Sequence, residues 1–70
     1  MRIVQILPVL AFGDAVGNDT RALKDALSEA GYETEIYAAV IDERLPQGTA
    51  QPFERLGKLT ANDIVIYHLS

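Results

Sequence analysis

Two short segments of the chain are apolar on both of their alternating faces, and this feature constrains the fold most strongly. They are residues 2–7 (RIVQIL) and residues 64–69 (IVIYHL). Strands that are apolar on both faces are typical of parallel sheets, which are covered on both sides. Pro8 cannot donate to a strand ladder, so it predicts the end of the first strand. The sequence therefore predicts an α/β fold built on a parallel sheet.

The segment between these strands predicts a helix, a second strand and a weaker second helix. The helix is expected from residue 18 or 19 to residue 30, because Leu23, Ala26, Leu27 and Ala30 form one apolar stripe. Asn18 and Asp19 suit its start, and Gly31 suits its end. Residues 33–38 (ETEIYA) alternate as a second strand, and residues 52–59 predict the short helix.

This order of elements predicts three parallel strands linked by two helical crossovers, a β-α-β-α-β half of a Rossmann-like domain. Crossovers of this type are right-handed in nearly all cases. With the strands in sequential order, both helices lie on one face of the sheet. The other face is then expected to be bare, and Val4 and Ile6 are expected to be exposed there. Residues 1–70 are accordingly expected to be part of a larger α/β domain.

Composition narrows the class of protein. The chain is 49% apolar and has no cysteine, so neither a disulfide nor a thiolate metal site can form. With one histidine, no metal site is expected, and no cofactor is expected either. Six basic residues stand against ten acidic ones, and the basic residues are scattered along the chain. This pattern argues against a nucleic-acid or anionic-membrane surface.

The start of the chain also invites a targeting interpretation. Met1 and Arg2 precede an apolar stretch, as in a signal peptide, but Gln5 and Pro8 interrupt it. The strand interpretation is preferred, and a cytoplasmic protein is expected. No apolar run approaches the roughly twenty residues of a membrane-spanning helix, so no membrane span is expected.

Residues 13–19 (GDAVGND), between the first strand and the helix, are the candidate binding loop. Loops at the carboxyl ends of parallel strands bind the ligands of such sheets. Gly13 and Gly17 let the backbone approach a ligand, and the free N–H groups of the helix favour phosphate. The spacing is neither a dinucleotide fingerprint nor a Walker loop. Asp14 and Asp19 would repel phosphate but can accept hydrogen bonds from sugar hydroxyls. The alternative is a glycine turn with helix-capping carboxylates and no ligand.

His68 is the second candidate, because it lies at the carboxyl end of the third predicted strand, on the same rim as the loop. A histidine there can donate a hydrogen bond to a substrate or act as a general base. The alternative is a hydrogen-bonded histidine that fills the end of a strand. Tyr37 and Tyr67 are interpreted as packing residues.

Taken together, these segments resemble the N-terminus of a group 1 (family 4) retaining glycosyltransferase. The resemblance rests on RIVQIL at residues 2–7, GDAVGND at 13–19, Ala-Leu pairs before GYE at 31–33, and DIVIYHLS at 63–70. The GDAVGND helix start joined to the IVIYHLS strand is its more specific part. It covers essentially all 70 residues, which correspond to a small early part of such an enzyme.

The resemblance implies the GT-B fold, in which two Rossmann-like halves face a cleft. The C-terminal half of such an enzyme holds most of the nucleotide-sugar donor and carries a paired-glutamate motif. The N-terminal half mostly receives the acceptor, and its first glycine-containing loop lies near the donor phosphates and sugar. Carried over to this chain, the substrate-binding residues are Gly13, Asp14, Gly17 and Asn18, and the catalytic residue is His68. Single glycines stand here where the family often has a Gly-Gly pair.

Residues 1–70 are thus expected to form a partial, acceptor-side domain of a larger glycosyltransferase and to be inactive alone. The expected partners are a nucleotide-sugar donor and an acceptor in the full-length enzyme. The alternative is a small non-catalytic α/β ligand-binding or interaction module. A bare sheet face and an open edge at the first strand also predict that the isolated chain self-associates as a dimer.

Overall fold

Four strands and one α-helix form within residues 1–69, the part of the chain that the computed structural model describes. In chain order the elements are β1 (Arg2–Leu10), α1 (Ala15–Glu29), β2 (Glu33–Ile41), β3 (Gln51–Pro52), a 3₁₀ turn (Phe53–Arg55) and β4 (Ile64–Tyr67). Every strand pair is parallel, so the predicted α/β class and parallel sheet are confirmed. The sheet has four strands rather than three because the connector after β2 contributes β3.

The strand order is β3-β2-β1-β4, which shows that the expected sequential order was wrong. β1 pairs with β2 on one side and with β4 on the other, so β1 is an interior strand and β4 is an edge. The apolar pattern of β1 correctly indicated a covered strand. It carries no information about which later strand becomes its neighbour, since that pairing is decided by contacts distant in sequence.

Pro8 ends one ladder of β1 and leaves the other intact. The backbone N–H of His68 donates to the carbonyl oxygen of Ile6 at 2.9 Å. In a parallel ladder the next bond toward β4 would come from the N–H of residue 8, and proline has none. Pairing with β2 continues past the proline, with Val9 opposite Val40. β1 therefore extends to Leu10, three residues beyond its predicted end at residue 7.

Helix α1 begins at Ala15, earlier than the predicted start at residue 18 or 19. Asp14 is the extended N-cap residue, and its carbonyl accepts the first helical bond from Asn18 at 2.8 Å. Val16 lies seven residues before Leu23, so it extends the apolar stripe by two turns, and it packs on the core. The predicted end is confirmed: Gly31 has a φ of 93°, and Tyr32 N–H donates to the carbonyl of Leu27 at 3.0 Å.

The core lies between the sheet and α1. Its buried residues are Leu7, Leu10, Ile36, Ala38 and Leu45. Leu45 comes from the connector after β2, so its burial holds this connector against the core.

The sheet face opposite α1 is covered, contrary to expectation. Val4 and Gln5 are neighbours in β1, so their side chains point to opposite faces of the sheet. The side chain of Gln5 contacts α1, and Val4 therefore points away from α1. Val4 is nevertheless 0% exposed, and Ile6 is half-buried. The chain from residue 53 to residue 63 runs from the β3 edge to the β4 edge. Arg2 anchors this segment, because its Nη2 lies 3.2 Å from Oδ2 of Asp63.

The helix predicted at residues 52–59 does not form. Only the 3₁₀ turn Phe53–Arg55 is present, and Leu56 is its C-cap residue. Gly57 follows with a φ of 69°, a left-handed conformation that a right-handed helix cannot continue through. An irregular segment therefore connects β3 to β4, where a crossover helix on the same face as α1 was expected.

Candidate functional site

The carboxyl ends of β1 and β4 lie side by side at the point where the chain connections diverge. From β1 the chain passes through α1 to β2 on one side, and after β3 it returns to β4 on the other side of β1. In open α/β sheets, ligands bind in the crevice outside the carboxyl ends of strands at such a switch point. The two candidate segments of the sequence, the loop after β1 and His68 after β4, both follow strands that meet at this switch point.

The loop itself is shorter than predicted and centres on Gly13 and Asp14. Gly13 has a φ of 79°, so the turn needs glycine for its backbone conformation. Asp14 is exposed, and its side chain makes no capping hydrogen bond to the described part of α1. An exposed carboxylate beside the start of a helix can accept hydrogen bonds from ligand hydroxyls.

Residues 15–19 belong to the helix, which corrects the predicted loop of residues 13–19. Gly17 is buried in the first turn of α1, and a Cβ atom at this position would lie 2.7 Å from the carbonyl oxygen of Ala11. The glycine is therefore accounted for by close packing of the helix on the end of β1. Asn18 is exposed, and its Oδ1 accepts a hydrogen bond of 2.9 Å from Arg21 Nη2. Ligand contacts of Gly17 and Asn18 stay predictions.

Asp42, which directly follows β2, holds the loop in place from the other side. Its Oδ2 accepts a hydrogen bond of 3.0 Å from the backbone N–H of Phe12. Arg44 Nη2 pairs with the same oxygen at 2.7 Å, and the guanidinium carbon lies 5.4 Å from the centre of the Phe12 ring. These three residues form a clamp, here called the Asp42 clamp, that fixes the residue immediately before Gly13.

The Asp42 clamp determines the charge state of Asp42 and engages its carboxylate. The hydrogen bonds from the Arg44 side chain, and then those from the backbone N–H groups of Arg44 and Phe12, hold the pKa of the Asp42 carboxyl far below its usual range. An acidic residue at the end of the second strand is where dinucleotide-binding domains hold a ribose. In this chain that carboxylate is already engaged, so its role is to organise the loop.

His68 lies farther from the carboxyl end of β1 than the Gly13 turn does. Tyr67 pairs with Ile6, so His68 sits beside Leu7, three residues before the end of β1, a drop of about 10 Å at the rise of a strand. The ring Nε2 of His68 lies 2.8 Å from Oε1 of Gln5. The side chain of Gln5 also reaches α1, because its Nε2 donates to the carbonyl of Thr20 at 2.9 Å.

The two tyrosines that were interpreted as packing residues differ in burial. Tyr37 is 6% exposed, which confirms its interpretation as a packing residue, whereas Tyr67 is 57% exposed on the edge strand. The sequence interpretation overlooked Gln5 and Asp42. A glutamine inside an otherwise apolar strand was the available signal for Gln5, because a buried amide needs partners. Asp42 could have been found as the acidic residue that follows β2.

A second cleft, of about 200 Å³, lies between α1 and the connector after β2, lined by Arg21, Lys24, Asp25 and Thr49. Lys24 Nζ is already paired there with Oε1 of Glu35 at 2.9 Å. The cleft is also remote from the carboxyl ends of β1 and β4. It is therefore the weaker candidate.

Two further features are absent from residues 1–69. No group of three or more histidine, cysteine, aspartate or glutamate residues in this range is arranged to hold a metal ion. Within the same residues, no helix has the length and apolar character needed to cross a membrane.

Comparisons of the chain with protein-family models, with curated proteins and with solved structures gave no match.

Proposed function

We propose that this chain supplies the acceptor-side part of a glycosyltransferase, which moves a sugar from a nucleotide-sugar donor to an acceptor. The observation that supports the proposal is that the Gly13–Asp14 turn follows β1 and His68 follows β4, two neighbouring parallel strands whose carboxyl ends lie at the switch point. The resemblance of GDAVGND and IVIYHLS to the retaining enzymes points to the same two segments. The 70 residues are proposed to be inactive without a donor-binding half.

The electrostatics of the rim favour a ligand rich in hydroxyl groups. The Asp14 carboxylate is exposed beside the N–H groups that begin α1. Carboxylates accept strong hydrogen bonds from sugar hydroxyls, and the helix start favours a phosphate placed farther from Asp14. Arg44, held by the Asp42 clamp next to the turn, adds a guanidinium that offsets part of the negative charge. A nucleotide sugar offers both kinds of group.

His68 is the proposed catalytic residue. Its side chain is half-buried beside the crevice and is held by Gln5. In this position it can contact a hydroxyl of the acceptor or accept its proton.

The test is a transfer assay with the natural polypeptide that carries these residues, using a panel of radiolabelled nucleotide sugars. His68→Gln is expected to lower kcat by about 10²-fold, the usual share of a general base. Asp14→Asn is expected to lower kcat/KM by about tenfold, as for the loss of one charge-assisted hydrogen bond. Glu29→Gln, at the opposite end of α1, is the matched control. Absence of transfer with every donor, or unaltered kinetics in both variants, would overturn the proposal.

One observation favours the alternative of a non-catalytic interaction module. The edge strand β4 exposes Ile64 by 45%, Val65 by 43% and Tyr67 by 57%. Open apolar edge strands pair readily with other chains. Self-association of the isolated chain is therefore proposed through β4, and no longer through the face of Val4 or the edge of β1.

The cytoplasmic location expected from the sequence remains part of the proposal. Residues 2–10, which could imitate the apolar part of a signal peptide, form the interior strand β1. This placement supports the strand interpretation of the segment.

A further inference from the structure

Gln5 is a fully buried polar residue in the centre of the sheet, and both ends of its amide are engaged. It is 0% exposed, its Nε2 lies 2.9 Å from the carbonyl oxygen of Thr20, and its Oε1 lies 2.8 Å from Nε2 of His68. A buried amide is costly unless it is hydrogen-bonded. An apolar residue would fill this position in β1 without needing hydrogen-bond partners. The glutamine therefore constrains the two groups to which it is bonded, the Thr20 carbonyl and the His68 ring.

The carbonyl of Thr20 determines which way the amide of Gln5 is turned. A backbone carbonyl oxygen can only accept hydrogen bonds, so the NH₂ end of the amide must face Thr20. The amide oxygen must then face His68. Thr20 cannot move away easily, because it is 0% exposed and its hydroxyl donates to the carbonyl of Val16 at 2.7 Å.

The oxygen of Gln5 in turn determines the tautomer of His68. An amide oxygen can only accept, so the ring nitrogen that faces it must carry the hydrogen. That nitrogen is Nε2. In the neutral imidazole the hydrogen can sit on one nitrogen only, and Nδ1 is then left with its lone pair.

We propose that Gln5 is a positioning residue that holds His68 as the Nε2–H tautomer and presents Nδ1 to a ligand as a hydrogen-bond acceptor. The backbone bond from His68 to Ile6 fixes the other end of the residue. Neutral His68 therefore accepts a hydrogen bond or a proton from a ligand hydroxyl through Nδ1. It does not donate through that nitrogen. The tautomer itself is independent of the proposed transferase function, whereas the role toward a hydroxyl rests on it.

The same bonds tie His68 to the helix that borders the Gly13–Asp14 turn. Thr20 lies in α1, one turn beyond Val16, which packs on the core. A shift of α1 along the sheet would strain the bond to Gln5 and with it the orientation of the His68 ring. A single buried amide thus links the His68 ring to the helix that follows the Gly13–Asp14 turn.

The first experiment reads the tautomer directly. His68 is the single histidine of the chain, so long-range ¹H–¹⁵N correlations of its ring need no assignment by mutation. They are recorded at about pH 9, where an ordinary imidazole is neutral. We expect a protonated Nε2 whose hydrogen exchanges slowly with water, and an unprotonated Nδ1. A ring with the hydrogen on Nδ1 would overturn the proposal.

Gln5→Met tests whether Gln5 is the cause, because methionine is of similar length and leaves no unpaired amide. The variant is expected to show faster exchange of the ring hydrogen and a shift toward the tautomer mixture of free histidine. Gln47→Met, at an exposed position, is the matched control and is expected to leave the ring signals unchanged. Unchanged ring signals in Gln5→Met would show that Gln5 does not set the tautomer. If Gln5→Met does not fold, Gln5→Leu is used, which likewise leaves no amide at this position and is expected to give the same changes in the ring signals.

The proposed effect of Gln5 on sugar transfer is tested in the natural polypeptide. Gln5→Met is expected to lower kcat about tenfold with KM nearly unchanged. If the tautomer is as proposed but no sugar is transferred, the transferase proposal fails and the positioning of His68 stands. If transfer occurs and Gln5→Met leaves kcat unaltered, the positioning role fails and the transferase proposal stands.

Discussion

The carboxylate of Asp42 accepts a hydrogen bond of 3.0 Å from the backbone N–H of Phe12, which lies 30 residues earlier in the chain. This bond joins the segment after β2 to the loop after β1, at the rim where the candidate ligand site lies. The loop that carries Gly13 and Asp14 is therefore held from outside its own sequence. Its geometry depends on the charge of one carboxylate.

The first prediction concerns the loss of folding stability at acidic pH. The pKa of Asp42 is lower in the folded chain than its ordinary value of 3.8, so the unfolded chain binds more protons between the two values. The stabilisation is fully present above the ordinary pKa and is lost as the pH falls below it toward the folded value. Asp42→Asn should lower the free energy of unfolding at pH 7, and the difference from the wild type should shrink at pH 3.

The measurement is urea unfolding of both proteins at the two pH values. Glu43→Gln, at the neighbouring exposed position, serves as the control and should leave the difference between pH 7 and pH 3 close to that of the wild type. An Asp42→Asn variant that keeps the full acid dependence of the wild type would show that the Asp42 clamp contributes no linkage.

The second prediction concerns Gly17. A Cβ atom at this position would lie 2.7 Å from the Ala11 carbonyl oxygen, which is a backbone atom and cannot rotate away. Gly17→Ala should therefore destabilise the fold by about 1–3 kcal/mol, the usual cost of overpacking, although alanine is the better helix former. Thermal unfolding is the measurement. Ser28→Ala, at an exposed position of the same helix, is the control and should change stability little. A Gly17→Ala variant as stable as the wild type would argue against this close approach.

The third prediction concerns the edge strand β4. Its exposed apolar residues and unpaired outer edge should cause the isolated chain to self-associate, and sedimentation equilibrium at micromolar concentration should show a dimer. Val65→Lys, in the middle of the edge, should weaken this association, because charged edge residues oppose pairing. Leu59→Lys, at an exposed apolar position outside any strand, is the control. A well-folded monomer of the unaltered chain would refute the prediction.

The sequence predicted those features of the fold that depend on local pattern. The two-sided apolar segments predicted β1 and β4 as parallel strands, and Gly31 predicted the end of α1. β1 is covered as expected, whereas β4 is an exposed edge strand. Strand order was not accessible in this way, since the pattern of residues 64–67 does not say which edge of the sheet they join. The helix predicted at residues 52–59 had suitable apolar spacing, but Gly57 adopts a left-handed conformation that stops it.

At the candidate site, too, the sequence identified residues with a local pattern and missed those that depend on distant contacts. Gly13, Asp14 and His68 were identified from their positions at the ends of strands, and the structure shows that these strands, β1 and β4, are neighbours. Gly17 was interpreted as a loop glycine, whereas its requirement for glycine arises from contact with Ala11, a tertiary approach that spacing alone does not reveal. Gln5 and Asp42 act through residues far away in sequence, so their importance became visible only when their partners were located.

Ligand binding at the carboxyl ends of β1 and β4 is tested most directly by a chemical-shift titration of the ¹⁵N-labelled chain. The probes are nucleotide sugars with uridine, guanosine or adenosine, simple sugars for the acceptor side, and inorganic phosphate at equal ionic strength as the control. Added up to about 10 mM, which covers weak millimolar binding, at least one sugar-containing probe should produce saturable shifts at Gly13, Asp14 and His68. Phosphate should not produce the shift at His68. Saturable shifts confined to the cleft of Lys24, or no saturable shift at the ends of β1 and β4 with any probe, would contradict the account.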